Sequence, residues 1–399
     1  MLELVNVLLL AIALLFFLPI LVLVVECVAA LLPKRRQASG KAAPSIAVLM
    51  PAHDEAAVLG ITLDTLRPHL KEQDQLVVVA DNCTDDTAAI ARQAGAIVLE
   101  RHDPEHRGKG YALDFGMKQL TMHPPDIVVI VDADCRVEGN ALEQISHLAH
   151  QTGRPVQAVY LMELPPQFKP SSAISALAFT VKNLVRPRGM EALGFPCLLT
   201  GTGMAFPWEL LANSPLASSN IVEDMQLGFD LAIAGHPPLL CRNARVTGIL
   251  PQQDSAARSQ RTRWEHGHLQ TLISQVPNLT QQGIRQGRLD LIALALDLLV
   301  PPLSLLVMAW VATMALLLGA TLLGAALLPA IILGAGGVLM TGAIALSWAV
   351  FARQFIPAQT LLTIPLYLLW KVPLYLAFLV KRQTRWVRTE RDIANEPKS

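Results

Sequence analysis

"IVVIVDADC" occupies residues 127–135, and its reading decides the fold. The unbroken apolar run, all isoleucine and valine, fits a strand buried on both faces, and the acidic DAD that follows marks where strand gives way to loop. The design recurs upstream. "SIAVLMPAH" (45–53) and "DQLVVVADN" (74–82) are short apolar runs that end in polar loops, separated by the helix-like "EAAVLGITLDTLRPHL" (55–70). Strands buried on both faces and alternating with helices predict a largely parallel α/β sheet, whose ligands sit at the carboxyl ends of the strands. Here those ends read PAHDE, ADNCTDD and DADC, so three acidic loops converge on one edge.

Such loops repel a bare phosphate but suit a hard divalent cation, Mg²⁺ or Mn²⁺, bridging carboxylates and a diphosphate. Asp132 and Asp134, at i and i+2 in a loop, are the candidate ligands. A lone D-x-D is more often an ordinary strand-to-loop turn, so its neighbours must decide.

Several follow. In "HRGKGYALD" (106–114) Lys109 stands between two glycines, where a lysine can act as a point charge for a diphosphate and glycines let backbone approach a ligand; a bare GKG is more often a solvated loop. "LLTGTGMAFP" (198–207) offers Gly201 and Gly203, equally compatible with close approach of a ligand and with a simple turn. "SSNIVEDMQLGFDLAIAGH" (218–236) predicts a helix stopped by Gly235, with Glu223 and Asp224 in its first turn, where carboxylates favour the helix dipole whether or not they do chemistry. If "DSAARSQRTRWEHGHLQTLI" (254–273) is a helix, Gln260, Arg263 and Trp264 share a face at i, i+3 and i+4. A guanidinium can grip diphosphate oxygens in pairs and an indole offers a flat apolar surface, although a basic helix near a membrane can equally be held by anionic headgroups.

Composition points to lipid. Of the 399 residues, 52% are hydrophobic and 16% charged, with a mean hydropathy of +0.42. Lysine plus arginine equals aspartate plus glutamate, 32 each, and aromatics are 5%, so nothing favours nucleic acid as a partner. The five cysteines are scattered, without the spacing of a zinc site or a disulfide framework. Residues 4–25 carry no charge and are long enough to span a bilayer, and "PKRRQ" (33–37) after them places the next domain in the cytoplasm. Residues 291–352, interrupted by Asp297, Pro301-Pro302 and Pro329, hold two spans comfortably. Either the stretch 360–380, with Lys371 at its centre, lies in or dips into the interface, or a third span hides in the long tract. Arg285, Arg288, Arg353 and the basic tail (381–391) all ask for the cytoplasmic side, which requires an even number of crossings after the soluble domain.

PAHDE, ADNCTDDT, RGKGYALD, DAD, GTG, ED and QRTRW, in that order and bracketed by apolar helices, resemble the membrane-bound family 2 glycosyltransferases, the group of cellulose, hyaluronan, chitin-oligosaccharide and exopolysaccharide synthases. The resemblance covers roughly residues 45–270. It implies a GT-A cytosolic domain with flanking transmembrane helices, a plasma-membrane location, and inverting transfer from a nucleotide-diphosphate sugar, a UDP-sugar in first place. His53, Glu55 and Asp81 match nucleoside-recognising loops, although Ala80-Asp81 stands where many relatives have two aspartates, which weakens the inference on base preference. Lys109 matches a donor-binding position, Asp132 and Asp134 the metal site, Glu223 and Asp224 the ED pair with Asp224 as general base, Gly201 and Gly203 the acceptor loop, and Gln260, Arg263 and Trp264 the Q-x-x-R-W motif.

The implied organisation is an N-terminal span (1–32), a cytosolic transferase domain (33–250), amphipathic interface helices (251–288), a C-terminal membrane region (289–380) and a basic tail (381–399). The implied partners are the donor, a glycan or lipid-linked glycan acceptor, membrane lipids and polysaccharide-export proteins. The first functional expectation is extension of a glycan; a second is transfer of one sugar to a lipid-linked acceptor. A nucleotide-binding transporter or scaffold would leave the cytosolic motifs unexplained, and a dinucleotide oxidoreductase lacks a G-x-G-x-x-G after its first strand.

Overall fold

The computed structural model describes residues 2–33, 43–165, 167–218, 222–250 and 254–380. The basic stretch 34–37 and the tail 381–399, on which the orientation reading leans, lie outside the described residues. The chain forms two compact units. Residues 43–168 and 196–267 belong to a sheet unit, and residues 2–33, 169–195 and 268–380 to a helical one.

Among the described residues the sheet unit has eight strands: β1 (Ile46–Ala52), β2 (Gln75–Asp81), β3 (Ile97–Arg101), β4 (Ile127–Ile130), β5 (Cys135–Glu138), β6 (Val156–Glu163), β7 (Met204–Pro207) and β8 (Leu239–Ile249), in spatial order β3-β2-β1-β4-β7-β6-β8-β5. β3, β2, β1 and β4 run parallel. β4 is buried throughout and β1 nearly so, as unbroken apolar runs require. β6 and β8 pair in parallel and run the same way, so the expectation of a largely parallel sheet holds, with β7 and β5 alone reversed among the described strands. β7 is antiparallel to β4 and β6, and β5 to β8. The reason is local: β7 starts from the 198–203 loop, which already lies at the carboxyl edge beside Asp132, so the strand must run away from it.

One face of this sheet is covered by the helix Lys109–Leu120, whose Leu113, Met117 and Leu120 pack with Leu49, Val79, Val128 and Phe206. Burying each such side chain contributes roughly 1.5–3 kcal/mol. A side chain at Gly116 would strike Leu49 and Val79, so the helix lies close on β1 and β2 and its first residue, Lys109, is set near the strand ends. The predicted 218–236 helix is observed as Glu223–Ile233, with Gly235 at φ +101° past its end. The 254–273 helix is longer than its motif, Asp254–Gln286.

Among the described residues, three helices of the helical unit are long and apolar enough to cross a membrane: Leu2–Ala29, Leu303–Leu322 and Leu328–Phe351. Ahead of the second lies a short helix, Leu289–Leu299, stopped by Pro301-Pro302; Pro329 interrupts nothing, because it falls in the first turn of its helix, where a missing N–H costs no bond. The last apolar helix, Ile364–Val380, has 17 residues, with Lys371 wholly buried. Its ammonium lies 5.5 and 5.8 Å from the rings of Tyr367 and Trp370.

Residues 169–195, inside the stretch expected to be one cytosolic domain, fold with the helical unit. A Cβ on Gly189 would meet the Glu26 backbone, so backbones touch there, and Arg186, following a π-helical turn at Val181–Val185, donates Nε to Glu26 Oε2 (2.6 Å) and Nη2 to Asp297. Without such a partner, two carboxylates on apolar helices would be costly to bury.

Candidate active site

Four of the predicted motifs meet. At the carboxyl edge of β4, Lys109 Nζ donates to Asp132 Oδ1 and to the Gly201 carbonyl, both at 2.5 Å. A Cβ on Gly201 would lie 3.3 Å from Asp224 Oδ2 and 3.6 Å from Lys109 Nζ, which puts the ED helix, the GTG loop, the GKG lysine and the D-x-D at one point. Burial pulls the Lys109 ammonium down, but Asp132, Glu223 and Asp224 outweigh it and hold the group above the ordinary lysine range. Glu223 moves the other way: burial first, and then repulsion from Asp224, push its carboxyl up to about 8. Glu223 therefore holds its proton to higher pH than an exposed carboxyl does.

Carboxylate oxygens of Asp132 and Asp134 and the Cys135 sulfur lie within 4.8 Å of one another. Burial holds the Cys135 thiol far above its usual range, so the ligands offered are hard oxygens, which fit a divalent cation of the Mg²⁺ or Mn²⁺ kind. Asp54, Cys83 and Asp85 form a similar group, but Asp54 accepts from Thr84 N (2.6 Å) and Asp85 from Ala56 N (3.1 Å), which fastens the two loops together.

The nucleoside candidates gather at the ends of β1 and β2. His53 Nδ1 donates to the Asp81 carbonyl at 2.6 Å, and Glu55 N–H donates to Thr87 Oγ1 at 2.8 Å, just ahead of the helix Ala56–Leu66. Asp81 is buried, and its Oδ1 accepts from Arg101 Nη1 (2.6 Å) and Asn82 Nδ2 (3.0 Å).

The glycines divide by role. Gly201, at φ +91°, faces the cluster. A Cβ on Gly203 would sit 2.7 Å from Val246 Cγ2 and 3.0 Å from Ala158, so that glycine serves the fit of the loop against the sheet rather than sugar approach. Gly110 likewise answers to backbone: a Cβ there would lie 2.5 Å from the Leu216 carbonyl. On the helix Asp254–Gln286, Gln260 is buried and Arg263 and Trp264 half-buried, and Gly267 comes so close to Val222 that a Cβ would lie 2.7 Å from its Cγ1. The Q-x-x-R-W helix thus packs on the residue that precedes Glu223.

Residue-by-residue reading missed the supports. Gln157, buried on β6, accepts from Thr200 N (2.9 Å) and donates to the Thr202 and Ala158 carbonyls (2.8 Å each), clamping the loop on both sides of Gly201. Thr202 Oγ1 accepts from Asp132 N at 3.1 Å. A single amide in the apolar run "VQAVYLM" was the available signal for Gln157; Thr202 had none beyond its place in GTG.

Glucosyl-3-phosphoglycerate synthase of Mycolicibacterium paratuberculosis is 37% identical over 102 residues, 24% of this chain and 30% of that protein. The low-salt glycan biosynthesis hexosyltransferase Agl6 of Haloferax volcanii is 31% identical over 108 residues, 27% of this chain and 25% of that one. The matches therefore span under a third of the length of these curated relatives. Among solved structures, the mannosyltransferase PcManGT from Pyrobaculum calidifontis, in complex with GDP-Man and Mn²⁺, aligns over 94% of this chain and 100% of its own with a TM-score of 0.58 and 19% identity, a likeness of fold. Residues 43–267, more than half of the chain, match the family described as glycosyltransferase like family 2, and the chain belongs to that family.

Proposed function

We propose that this chain is a metal-dependent, inverting glycosyltransferase that moves a sugar from a nucleotide-diphosphate donor, a UDP-sugar in first place, to a glycan hydroxyl at a membrane. The observation that supports it best is the meeting of Lys109, Asp132 and the Gly201 carbonyl beside Asp224. Lys109 is placed to exchange its bonds to Asp132 and Gly201 for diphosphate oxygens. A cation on Asp132 and Asp134, as PcManGT has Mn²⁺ with its donor, would offset the charge of the departing diphosphate. Asp224 takes the proton of the acceptor hydroxyl as that oxygen attacks the anomeric carbon from the face opposite the diphosphate, so the configuration inverts. Glu223, whose proton burial and Asp224 help to retain, lies beside Asp224 in the site. Arg263 grips the donor and Trp264 supports the acceptor sugar, with Gln260 beneath them. The sheet unit faces the cytoplasm, and the three apolar helices cross the plasma membrane.

The names of the relatives favour a second reading. A glucosyl-3-phosphoglycerate synthase and a hexosyltransferase of glycan biosynthesis are both named for the transfer of a sugar unit rather than for a polymer, which suits single transfer to a lipid-linked acceptor. Purified protein incubated with UDP- and GDP-sugars and Mn²⁺ should release nucleoside diphosphate from one donor and lose that release in EDTA. Lipid extracts and glycan oligomers as acceptors then separate the two readings. Failure of the protein to bind any nucleotide would overturn both.

A further inference from the structure

Arg101, the last residue of β3, carries no role in the proposal above, yet it is buried and fully engaged. Its Nη1 donates to Asp81 Oδ1 at 2.6 Å, and its Nη2 donates to Asp103 Oδ2 at 3.0 Å and to the His106 carbonyl at 2.9 Å. The guanidinium also lies 5.7 Å from the ring centre of Tyr111, in the first turn of the helix that Lys109 begins. Asn82 repeats the tie: its Nδ2 donates to Asp81 Oδ1 and to the Asp103 carbonyl (3.1 Å), and its Oδ1 accepts from Asp103 N at 2.8 Å. Its backbone, at φ +53°, takes the left-handed turn this requires.

The tie joins two sequence motifs with different work. Asp81 stands in the nucleoside loop, and His106 and Tyr111 bracket the Gly108-Lys109 pair that serves the diphosphate. A nucleoside diphosphate has a fixed span between base and phosphates, so the protein must fix the span between the groups that read each end.

Resting on the glycosyltransferase reading, we propose that Arg101 is a positioning residue for the donor: it sets the spacing between Asp81 and Lys109 and leaves Asp81 Oδ2, which has no hydrogen-bond partner among the described residues, to accept from the nucleoside. A planar fork makes this possible. Its two nitrogens reach Asp81 on one side and the 103–106 loop on the other, which an ammonium on a flexible stem cannot hold at once.

The test is nucleotide affinity. Arg101→Lys keeps the charge beside Asp81 and loses the fork. Removing bonds of this charged kind should weaken the wild type's preferred nucleotide, UDP or GDP measured by calorimetry with Mn²⁺, by about tenfold or more. Donor KM should rise more than kcat falls. Because a buried carboxylate left without its cation can unfold the protein, the second variant is Asp81→Asn with Arg101→Met, which removes both charges. It should melt near the wild-type temperature and still bind nucleotide weakly. Unchanged nucleotide affinity in folded Arg101→Lys, or a loss confined to melting temperature, overturns the positioning role. A wild-type protein that binds neither UDP nor GDP overturns the glycosyltransferase reading itself, and this inference with it.

Discussion

Two groups of charge in this chain have similar chemistry and opposite settings. In the sheet unit, the Lys109 ammonium meets Asp132, with Glu223 and Asp224 close by, and the side chains of the pair remain 18% and 32% exposed. In the helical unit, the Arg186 guanidinium meets Glu26 and Asp297, and the three side chains are 5%, 2% and 7% exposed. Each group has more carboxylates than cations. The first is reachable and offers a compact ammonium whose bonds can be exchanged for those of a ligand. The second is sealed around a planar fork that grips two helices, and nothing can enter without breaking it. Access, rather than charge, is what separates the two groups.

The sharpest way to break this comparison is to remove one carboxylate from the first group and the cation from the second. Asp224→Asn keeps shape and removes the base, so transfer should fall by about 10²–10⁴ while the melting temperature in detergent stays close to wild type. Asp134→Ala should abolish metal-dependent transfer with equally little effect on melting. Arg186→Met should do the reverse to stability. It leaves Glu26 and Asp297 buried without their cation, at a cost of about 3–5 kcal/mol. Adding Glu26→Gln and Asp297→Asn should recover most of that loss. A near-normal melting temperature for Arg186→Met alone would show that the second group does not hold the helices.

How much of each group could be read from sequence follows the same division. Asp132, Asp134, Lys109 and Asp224 were legible because each sits in a short motif at the end of an element, and seven motifs in order fixed the family pattern. Glu26, Arg186 and Asp297 come from segments 160 and 111 residues apart, and no motif joins them. Asp297 was visible only as an interruption in an apolar tract. For the same reason residues 169–195 read as part of the soluble domain: their partners on the apolar helices lie far away along the chain. The antiparallel course of β7 was hidden too, because it depends on where the GTG loop finishes rather than on the residues of the strand itself.

A middle-sized effect would sharpen the picture of the reachable site. Gln157 touches no reacting group in the proposed chemistry, but it holds both flanks of Gly201. Gln157→Leu conserves bulk and removes the three hydrogen bonds to Thr200, Thr202 and Ala158, about 0.5–1.5 kcal/mol for each bond. The loop is then free to shift the carbonyl that Lys109 uses, and kcat should drop about tenfold or more. Gln157→Glu restores an acceptor for Thr200 but places a carboxylate against the Thr202 carbonyl, so it should not rescue. Full activity in Gln157→Leu would mean that the backbone bond from Ala158 N to the Gly203 carbonyl holds the loop without help.

The last effect is a pH slope, and it tests whether the reachable group is as tightly coupled as its geometry implies. The Glu223 carboxyl is pushed up to about 8 from an ordinary 4.5, by burial first and by Asp224 second. The folded protein therefore binds a proton there that the unfolded chain has released, and this contribution to stability is full below about 4.5 and is lost as pH rises through about 8. The slope is at most about 1.4 kcal/mol per pH unit. Ionised Glu223 also adds negative charge beside the diphosphate, so donor KM should climb above pH 8. Glu223→Gln should flatten both the melting curve against pH and the rise in KM. If the variant keeps the wild-type slope, the proton resides on another carboxylate of the cluster, and the assignment of Asp224 as base and Glu223 as the group that keeps its proton must be exchanged.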